Sequence, residues 1–320
     1  ESEVAIDTNS SRSWQLIFQS LPLVPGDRIL TCTTSYTSNY LGFIAAAERT
    51  GATIETIPAL ENGIANVDCF KELMDQRVKV VAVTHMPTNS GLIQPVESIG
   101  AAMKGSDAIY MVDTTQSIGQ VQVNVNNLNC DVLVGTSRKY LRGPRGVGFA
   151  YVRRSLAESI RPILLDSQGA KWTGENSLKM QDGAIRFETG ENHPALRLGL
   201  LAAMDYHNRF CGPETQGRIR HLAETIRLML AELPGVTVRD RGEEKSGIVT
   251  FTVTGWNNYK LRDTLIKKKI NISVSPADFT LLDMKSQGLE SVARASVHYY
   301  NTENELMQLC DTLRDLLRLV

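Results

Sequence analysis

Short apolar runs alternate with longer amphipathic segments along the first half of the chain. The apolar runs are bounded by polar turn residues, a pattern that is typical of parallel strands buried on both faces. It predicts strands at residues 28–32, 53–58, 78–84, 108–112 and 131–135, with residues 149–152 pairing beside the last of these. The amphipathic segments predict helices at residues 13–20, 40–50, 67–76 and 96–103.

This β-α-β rhythm predicts an α/β fold with a doubly wound, mostly parallel sheet. Residues 164–182 are polar and irregular, and we expect them to form a loop over the ligand site. Further helices are predicted at residues 196–210, 214–233, 258–269 and 304–317, and further strands at 236–238, 247–253, 270–274 and 292–297. This change of pattern predicts a large domain at residues 1–204 and a small C-terminal α+β domain at residues 205–320.

Two of the predicted strands deliver titratable side chains to their carboxyl ends, where open α/β sheets bind ligands. The strand at 108–112 ends on Asp113, and the strand at 131–135 is followed by Thr136 and then Lys139. A lysine for an aldehyde, a carboxylate for a protonated ring nitrogen and hydroxyls for a phosphate together suit pyridoxal phosphate (PLP). From these residues alone, a buried sheet with an incidental aspartate and a surface lysine stays an open alternative.

Other polar residues lie at the predicted ends of elements. Ser10 and Ser11 precede a helix, where they could be caps or could bind a phosphate with the free N–H groups. Thr88 and Asn89 belong to a polar loop after the strand at 78–84 and would sit above the cofactor. His85 in the same loop is interpreted as a structural histidine.

Composition excludes several classes of protein. The net charge is −1 and the isoelectric point about 6.6, which give no electrostatic reason to expect nucleic acid or an anionic membrane as a partner. No apolar run is long enough to span a bilayer, and the N-terminus has no signal-peptide pattern. The five cysteines are scattered without a CxxC spacing, which predicts a reduced, cytoplasmic protein with no metal site.

Four motifs together resemble one family over essentially the whole chain: VDTTQSIGQ, GTSRKYLRGPRGVGFAYV, RFETGEN and RASVHYYNTENEL. They are similar to the class V aminotransferases, fold-type I PLP enzymes that include cysteine desulfurases, isopenicillin N epimerase-like proteins and C–S lyases. The resemblance implies PLP as cofactor, an amino acid as substrate, and a homodimer with a shared active site. It begins some way into the family's usual length, so we expect an N-terminal segment to be absent.

The resemblance assigns roles around the cofactor ring. Lys139 resembles the lysine that holds the PLP aldehyde and later moves the α-proton. Asp113 resembles the aspartate paired with the pyridine nitrogen, and Gln116 the residue that contacts the phenolic oxygen. Tyr36 stands at the ring-stacking position, which desulfurases usually fill with histidine. A half-buried packing aromatic is the alternative for Tyr36.

The remaining assignments concern the phosphate and the substrate. The residues that resemble the family's phosphate-binding residues are Ser10, Ser11, Thr136, Arg138 and Asn192, the last reaching across from a second subunit. Glu191 replaces a neutral residue of the family pattern, and its charge would repel a phosphate. Arg294 resembles the arginine that clamps the substrate α-carboxylate, with a surface ion pair as the alternative. Arg142 and Arg145 either reach the distal end of the substrate or order their turn.

The reaction is less constrained than the cofactor. Desulfurases use a loop cysteine, whereas residues 272–280 contain none and the position nearest the nucleophile is around Thr280. The sequence therefore favours a C–S lyase acting by β-elimination, or an aminotransferase. An epimerase of the isopenicillin N type and a truncated, non-catalytic PLP-binding protein remain alternatives.

Overall fold

The computed structural model describes residues 2–318, and its first half alternates strands with helices as the sequence predicts. The elements are β1 (Val4–Asp7), α1 (Ser10–Gln19), β2 (Arg28–Cys32), α2 (Thr37–Thr50), β3 (Thr53–Ile57), α3 (Val67–Leu73), β4 (Val78–Thr84), α4 (Val96–Ala102), β5 (Ile109–Asp113), α5 (Val125–Leu128), β6 (Val132–Thr136), β7 (Gly148–Val152) and α6 (Arg154–Ser159). The short elements β1, α5 and α6 were not predicted, because each offers too few residues for a periodic pattern.

These strands form a seven-stranded sheet in the order β1-β7-β6-β5-β4-β2-β3. Strands β2 to β6 are parallel, whereas β7 pairs antiparallel with β6, and β1 pairs antiparallel with β7. The predicted α/β class is therefore confirmed. Because β4, β5 and β6 are neighbours, Thr84 pairs with Asp113, and the loops after all three strands open at one edge.

The second half contains β8 (Ala170–Gly174), β9 (Ser177–Met180), α7 (Pro194–Phe210), α8 (Pro213–Ala231), β10 (Val236–Val238), β11 (Ile248–Val253), α9 (Asn258–Lys267), β12 (Ser273–Pro276), α10 (Leu281–Ser286), β13 (Ser291–Ser296) and α11 (Glu303–Leu317), with 3₁₀ turns at Gly183–Phe187 and Ala277–Thr280. Strands β10-β11-β13-β12 form an antiparallel sheet in that order. The strand predicted at 270–274 begins later, because Lys269 adopts a left-handed φ of 62° and the Ile270 N–H closes the end of α9.

The prediction of an irregular loop at residues 164–182 is wrong. Strands β8 and β9 pair there as a hairpin, and Trp172 near its middle is 82% exposed. The side chains alternate too weakly between apolar and polar for the strand period to be recognised. Neither of the two cavities described below is lined by this segment.

Three hydrophobic clusters hold these layers together. Trp14, Phe18 and Phe43 from α1 and α2 cover one face of the seven-stranded sheet, and Phe70 and Ile99 from α3 and α4 cover the other. Each such side chain contributes about 1.5–3 kcal/mol by leaving water. A separate cluster lies between α8, α11 and the four-stranded sheet.

The clusters on the two faces of the seven-stranded sheet draw on residues before 188, and the separate cluster draws on residues after 221. The division into domains at residues 1–204 and 205–320 stays a prediction, and its boundary falls inside α7. Among residues 2–318, no helix has both the length and the apolar composition that crossing a bilayer requires.

Candidate active site

Two adjoining cavities open at the carboxyl ends of β4, β5 and β6. The smaller has a volume of about 190 Å³ and the larger about 420 Å³. The site residues predicted from the sequence line at least one of them, with the exceptions of Asn192 and Asn89. The Asn89 side chain instead donates a hydrogen bond of 2.8 Å to the Pro276 carbonyl oxygen. The predicted residues that line the smaller cavity are Ser10, Ser11, Tyr36, Thr88, Asp113, Gln116, Thr136, Arg138 and Lys139. Five of them, Tyr36, Thr88, Gln116, Arg138 and Lys139, also line the larger cavity, together with Arg294.

Asp113 is the last residue of β5 and is buried. Its Oδ2 accepts a hydrogen bond of 2.8 Å from Asn39 Nδ2, and its Oδ1 accepts one of 2.9 Å from the Thr115 N–H. These two hydrogen bonds fix the orientation of the Asp113 side chain in the smaller cavity.

A chain of hydrogen bonds links the two larger sheets across the cavities. Gln116 Nε2 and Arg294 Nη1 both donate to Thr88 Oγ1, at 3.1 and 2.7 Å. Arg294 Nη1 also lies 3.3 Å from the Thr88 carbonyl oxygen, and Arg294 Nε donates to Ser296 Oγ at 2.8 Å. Thr88 therefore fixes Arg294, which belongs to β13 of the four-stranded sheet, relative to the loop after β4.

Arg294 has no ion-pair partner within residues 2–318. Burial lowers the pKa of its guanidinium, although an arginine keeps its charge at any ordinary pH. The predicted alternative of a surface ion pair does not describe this side chain. A half-buried, unpaired guanidinium beside a cavity is suited to binding an anionic group.

The N-terminus of α1 borders the smaller cavity at Ser10 and Ser11. Asn9 caps the helix, accepting a hydrogen bond of 2.9 Å from the Arg12 N–H. The first N–H groups of a helix lack intrahelical acceptors and attract anions. Strand β7 approaches this end so closely that a Cβ at Gly148 would lie 2.7 Å from the Ser10 nitrogen.

Lys139 lies in the turn between β6 and β7 and lines both cavities. Burial, reinforced by the positive charge of Arg294, lowers the pKa of its amine to about 7, and the Asp113 carboxylate opposes the shift only in part. A substantial fraction of the amine is therefore unprotonated at neutral pH. An unprotonated amine is the form that can attack an aldehyde or accept a proton.

Tyr36 forms part of the wall that the two cavities share. Its ring lies 6.0 Å from the ring of Phe279, which lines the larger cavity. Thr280, the position nearest the desulfurase nucleophile, is fully buried outside both cavities. Residues 272–280 therefore present Ser273 and Phe279 to the larger cavity, and neither side chain carries a thiol.

Two histidines near the site carry little charge at neutral pH. Burial lowers the pKa of His85 to about 4, and this residue lines neither cavity, in agreement with a structural role. Burial also lowers the pKa of His298 to about 4. His298 lines the larger cavity, stacked between the rings of Tyr140 and Tyr300.

Asn192 lies outside both cavities. Its side-chain amide donates to the Ile6 carbonyl oxygen at 3.3 Å, and its neighbour Glu191 is exposed. Within one chain, neither residue lines a cavity. The predicted contact of Asn192 with a phosphate from across a subunit boundary stays a prediction.

The smaller cavity fits PLP by its unused polar atoms. Gln116 Oε1 and Thr115 Oγ1 are buried there without a hydrogen-bond partner in the described chain. Such atoms cost free energy unless a ligand or water satisfies them. The same cavity is lined by a carboxylate, an amine and a helix N-terminus, which suit the protonated ring nitrogen, the aldehyde and the phosphate of PLP.

Sequence reasoning missed Asn39, Thr115 and Phe279. Asn39 lies in the first turn of α2, which begins three residues before the predicted start at residue 40. An earlier start would have placed Asn39 one helical turn after Tyr36, beside the same cavity. Phe279 reaches the cavity through the 3₁₀ turn at Ala277–Thr280, which is too short to be predicted from the spacing of apolar residues.

The chain is similar to known proteins over most of its length. The family model described as aminotransferase class V matches residues 1–309. A probable cysteine desulfurase of Methanothermobacter thermautotrophicus is 26% identical over 98% of this chain and 79% of its own length. One from Pyrococcus abyssi is 28% identical over 99% of this chain and 79% of its own length.

Solved structures share the fold. The apo cysteine desulfurase from Thermococcus onnurineus superposes with a TM-score of 0.94 at 26% identity, over 100% of this chain and 80% of that one. The cystine C–S lyase C-DES, in complex with cysteine persulfide, gives a TM-score of 0.87 at 22% identity, over 98% and 82%. The second likeness, being more distant in sequence, bears on the fold alone.

Proposed function

Because the chain belongs to the class V aminotransferase family of PLP-dependent enzymes, we propose that it cleaves the C–S bond of an S-substituted cysteine by β-elimination. One observation carries this proposal. The cavities bring a partly unprotonated amine, Lys139, beside an unpaired guanidinium, Arg294, and none of the cysteines lines either of them. The site thus offers a base and a carboxylate clamp without a thiol to receive sulfur.

PLP, when bound, supplies an electron sink for the pair that remains after Cα loses its proton. Asp113, fixed by Asn39 and Thr115, would pair with the ring nitrogen and keep it protonated. Gln116 faces the position proposed for the phenolic oxygen. The ring would lie between Tyr36 and neighbouring side chains, and the phosphate would be held by Ser10, Ser11, Thr136 and Arg138.

Lys139 would hold the cofactor aldehyde and, once released by the substrate, take the proton from Cα. A pKa of about 7 suits both roles, because the amine accepts a proton readily and also returns it at neutral pH. Arg294 would bind the α-carboxylate and so orient the Cα–H bond toward this amine. Thr88 keeps Arg294 in place through its hydroxyl group.

The elimination balances without any further reactant except water. The Cα proton passes to Lys139, and the Cβ–S bond breaks with its electron pair leaving on sulfur, which is protonated to a thiol. The remaining three-carbon fragment takes up water and becomes pyruvate and ammonia. One S-substituted cysteine and one water thus give one thiol, one pyruvate and one ammonia.

A persulfide-forming desulfurase would need a cysteine that reaches the substrate sulfur. Phe279 occupies the corresponding part of the loop, and residues 272–280 contain no cysteine. This difference separates the chain from the activity named for its desulfurase relatives. It leaves elimination as the proposed fate of the C–S bond.

The test is a product assay on a panel of S-alkyl-L-cysteines incubated with the PLP-loaded protein. Pyruvate, ammonia and free thiol should appear in equal amounts. If the keto acid of the intact substrate accumulates, the reaction is a transamination and the proposed elimination is wrong. If the D-enantiomer of the substrate appears, the reaction is an epimerisation. Any of these products would exclude the alternative of a non-catalytic PLP-binding protein.

We also propose that the enzyme is a homodimer. Helix α7 buries only Leu200, and it exposes several large apolar side chains, which a monomer would leave in water: Leu198, Leu201, Met204, Tyr206 and Phe210. We propose that a second copy of the chain covers this face, in keeping with the homodimer that the family resemblance implies. Light scattering that gives the mass of one chain would exclude the dimer.

The proposed location is the cytoplasm. All five cysteines are unpaired, as expected of a protein in a reducing compartment. Fractionation of cells that places the protein outside the cytoplasm would contradict this proposal.

A further inference from the structure

Arg142 stands in the turn that follows Lys139, at the wall of the larger cavity. Its φ of 59° is left-handed, which is uncommon for a residue other than glycine. The next residue, Gly143, packs so tightly that a Cβ there would lie 1.9 Å from Ser137 Oγ. The turn therefore has little freedom, and it presents Arg142 to the cavity in one position.

Two aromatic rings clamp the Arg142 guanidinium. Its Cζ lies 4.7 Å from the ring centroid of Tyr206 and 4.7 Å from that of Tyr299. Rings at this distance attract a cation and limit where the guanidinium can lie. The residue is still exposed, so its N–H donors are accessible to a ligand, and one of them points at Cys211 Sγ, 3.6 Å away.

The larger cavity has more positive charge than the proposed reaction explains. It is lined by Arg138, Lys139, Arg142 and Arg294, and by no aspartate or glutamate. The proposed roles give Arg138 to the cofactor phosphate and Arg294 to the substrate α-carboxylate. Arg142 is left without an anion, since it makes no ion pair within residues 2–318.

We propose that Arg142 binds a second oxyanion, carried at the far end of the group attached to the substrate sulfur. This inference rests on the proposed function and names its substrate class: cysteine S-conjugates that bear a distal carboxylate. A guanidinium held between two aromatic rings at the cavity wall is suited to such a group, because its planar pair of donors matches the two oxygens of a carboxylate. The volume of about 420 Å³ leaves room for a substrate longer than cysteine.

The inference is tested with S-(carboxyethyl)-L-cysteine and its amide, S-(carbamoylethyl)-L-cysteine, which differ in charge but hardly in shape. The wild-type enzyme should show a kcat/KM for the acid about 10-fold to 100-fold above that for the amide. In Arg142→Gln this ratio should fall to about one. Arg142→Lys, which keeps the charge but loses the planar edge, should retain part of the ratio.

Arg145→Gln is the matched control. Arg145 is exposed in the same turn, three residues beyond Arg142, and it lines neither cavity. This variant should keep the wild-type ratio. A purely structural role for Arg142 would lower kcat/KM for the acid and the amide alike, and would leave their ratio unchanged.

Equal kcat/KM for the two substrates in the wild type would overturn the inference, as would a wild-type ratio in Arg142→Gln. If neither substrate yields pyruvate, the proposed function fails, and the inference is then judged by binding alone. L-2-Aminopimelate and its distal amide lack the sulfur leaving group, and their Kd values follow from the change in visible absorption of the PLP-loaded protein. The same preference for the acid, lost in Arg142→Gln, is expected, and equal Kd values in the wild type would overturn the inference.

Discussion

Arg294→Gln should lower kcat/KM for an S-substituted cysteine about 100-fold and leave the visible absorption of the bound cofactor unchanged. The loss follows from removing a charge-assisted, bidentate contact with the α-carboxylate, which contributes about 3 kcal/mol. Cofactor binding should persist, because Arg294 lines only the larger cavity. Steady-state pyruvate formation and an absorption spectrum measure the two quantities.

Arg294→Lys separates charge from geometry. A lysine retains the positive charge but not the planar pair of donors, so its kcat/KM should lie between those of the wild type and Arg294→Gln. The glutamine variant also loses the hydrogen bond to Thr88 Oγ1, so Thr88→Val is the control for that contact. Thr88→Val should lose less activity than Arg294→Gln, because the guanidinium remains, and a wild-type kcat/KM in Arg294→Gln would contradict the carboxylate role.

Lys139→Ala should lower kcat by about 10³-fold or more and abolish the visible absorption of the PLP–lysine adduct. The size of the effect is that of removing a general base together with the covalent hold on the cofactor. Loss of fold is not expected, because burial disfavours the charged ammonium of Lys139, as its lowered pKa of about 7 shows, and alanine removes that charge. The measurement is single-turnover pyruvate release at saturating PLP.

Lys171→Ala is the corresponding control, since Lys171 is an exposed lysine on the β8–β9 hairpin outside both cavities. It should retain wild-type turnover and absorption. Small amines added to Lys139→Ala should restore part of the activity by acting as the missing base. A Lys139→Ala enzyme that turned over at the wild-type rate would exclude the assigned role.

The positions of Asp113 and Lys139 at one edge of the sheet could be predicted from the sequence, because both depend on where strands end. Strands β2 and β4 lie at the predicted positions, and a buried parallel strand can end only where its apolar run ends. Asp113 and Lys139 follow directly from such ends. The lengths of the apolar runs and the shared edge of the sheet therefore predict that Asp113 and Lys139 lie near each other.

What surrounds these two residues could not be predicted in the same way. The Asn39 contact with Asp113 depends on where α2 begins, and helix starts are poorly marked when the first turn has no capping residue. The Thr88 contact with Arg294 joins residues 206 positions apart and depends on how the four-stranded sheet packs against the seven-stranded one. Periodicity describes one element at a time and carries no information about such packing.

The clamp around Arg142 illustrates the same limit. In the sequence, Arg142 and Arg145 are equivalent members of one glycine-rich turn, and both roles stayed open. The structure separates them, because Tyr206 and Tyr299 from α7 and the segment after β13 meet only Arg142. Which of the two arginines lines the larger cavity therefore depends on contacts between the turn, α7 and the segment after β13, which are distant in the sequence.

The central claim is that Lys139 holds PLP, and chemical trapping tests it most directly. The PLP-loaded protein is reduced with borohydride, digested and analysed by peptide mass spectrometry. The account predicts a pyridoxyl group on the peptide that contains Lys139, at about one group per chain, and no such label in Lys139→Ala. Label on a different lysine, or a wild-type protein that binds no PLP at all, would contradict it.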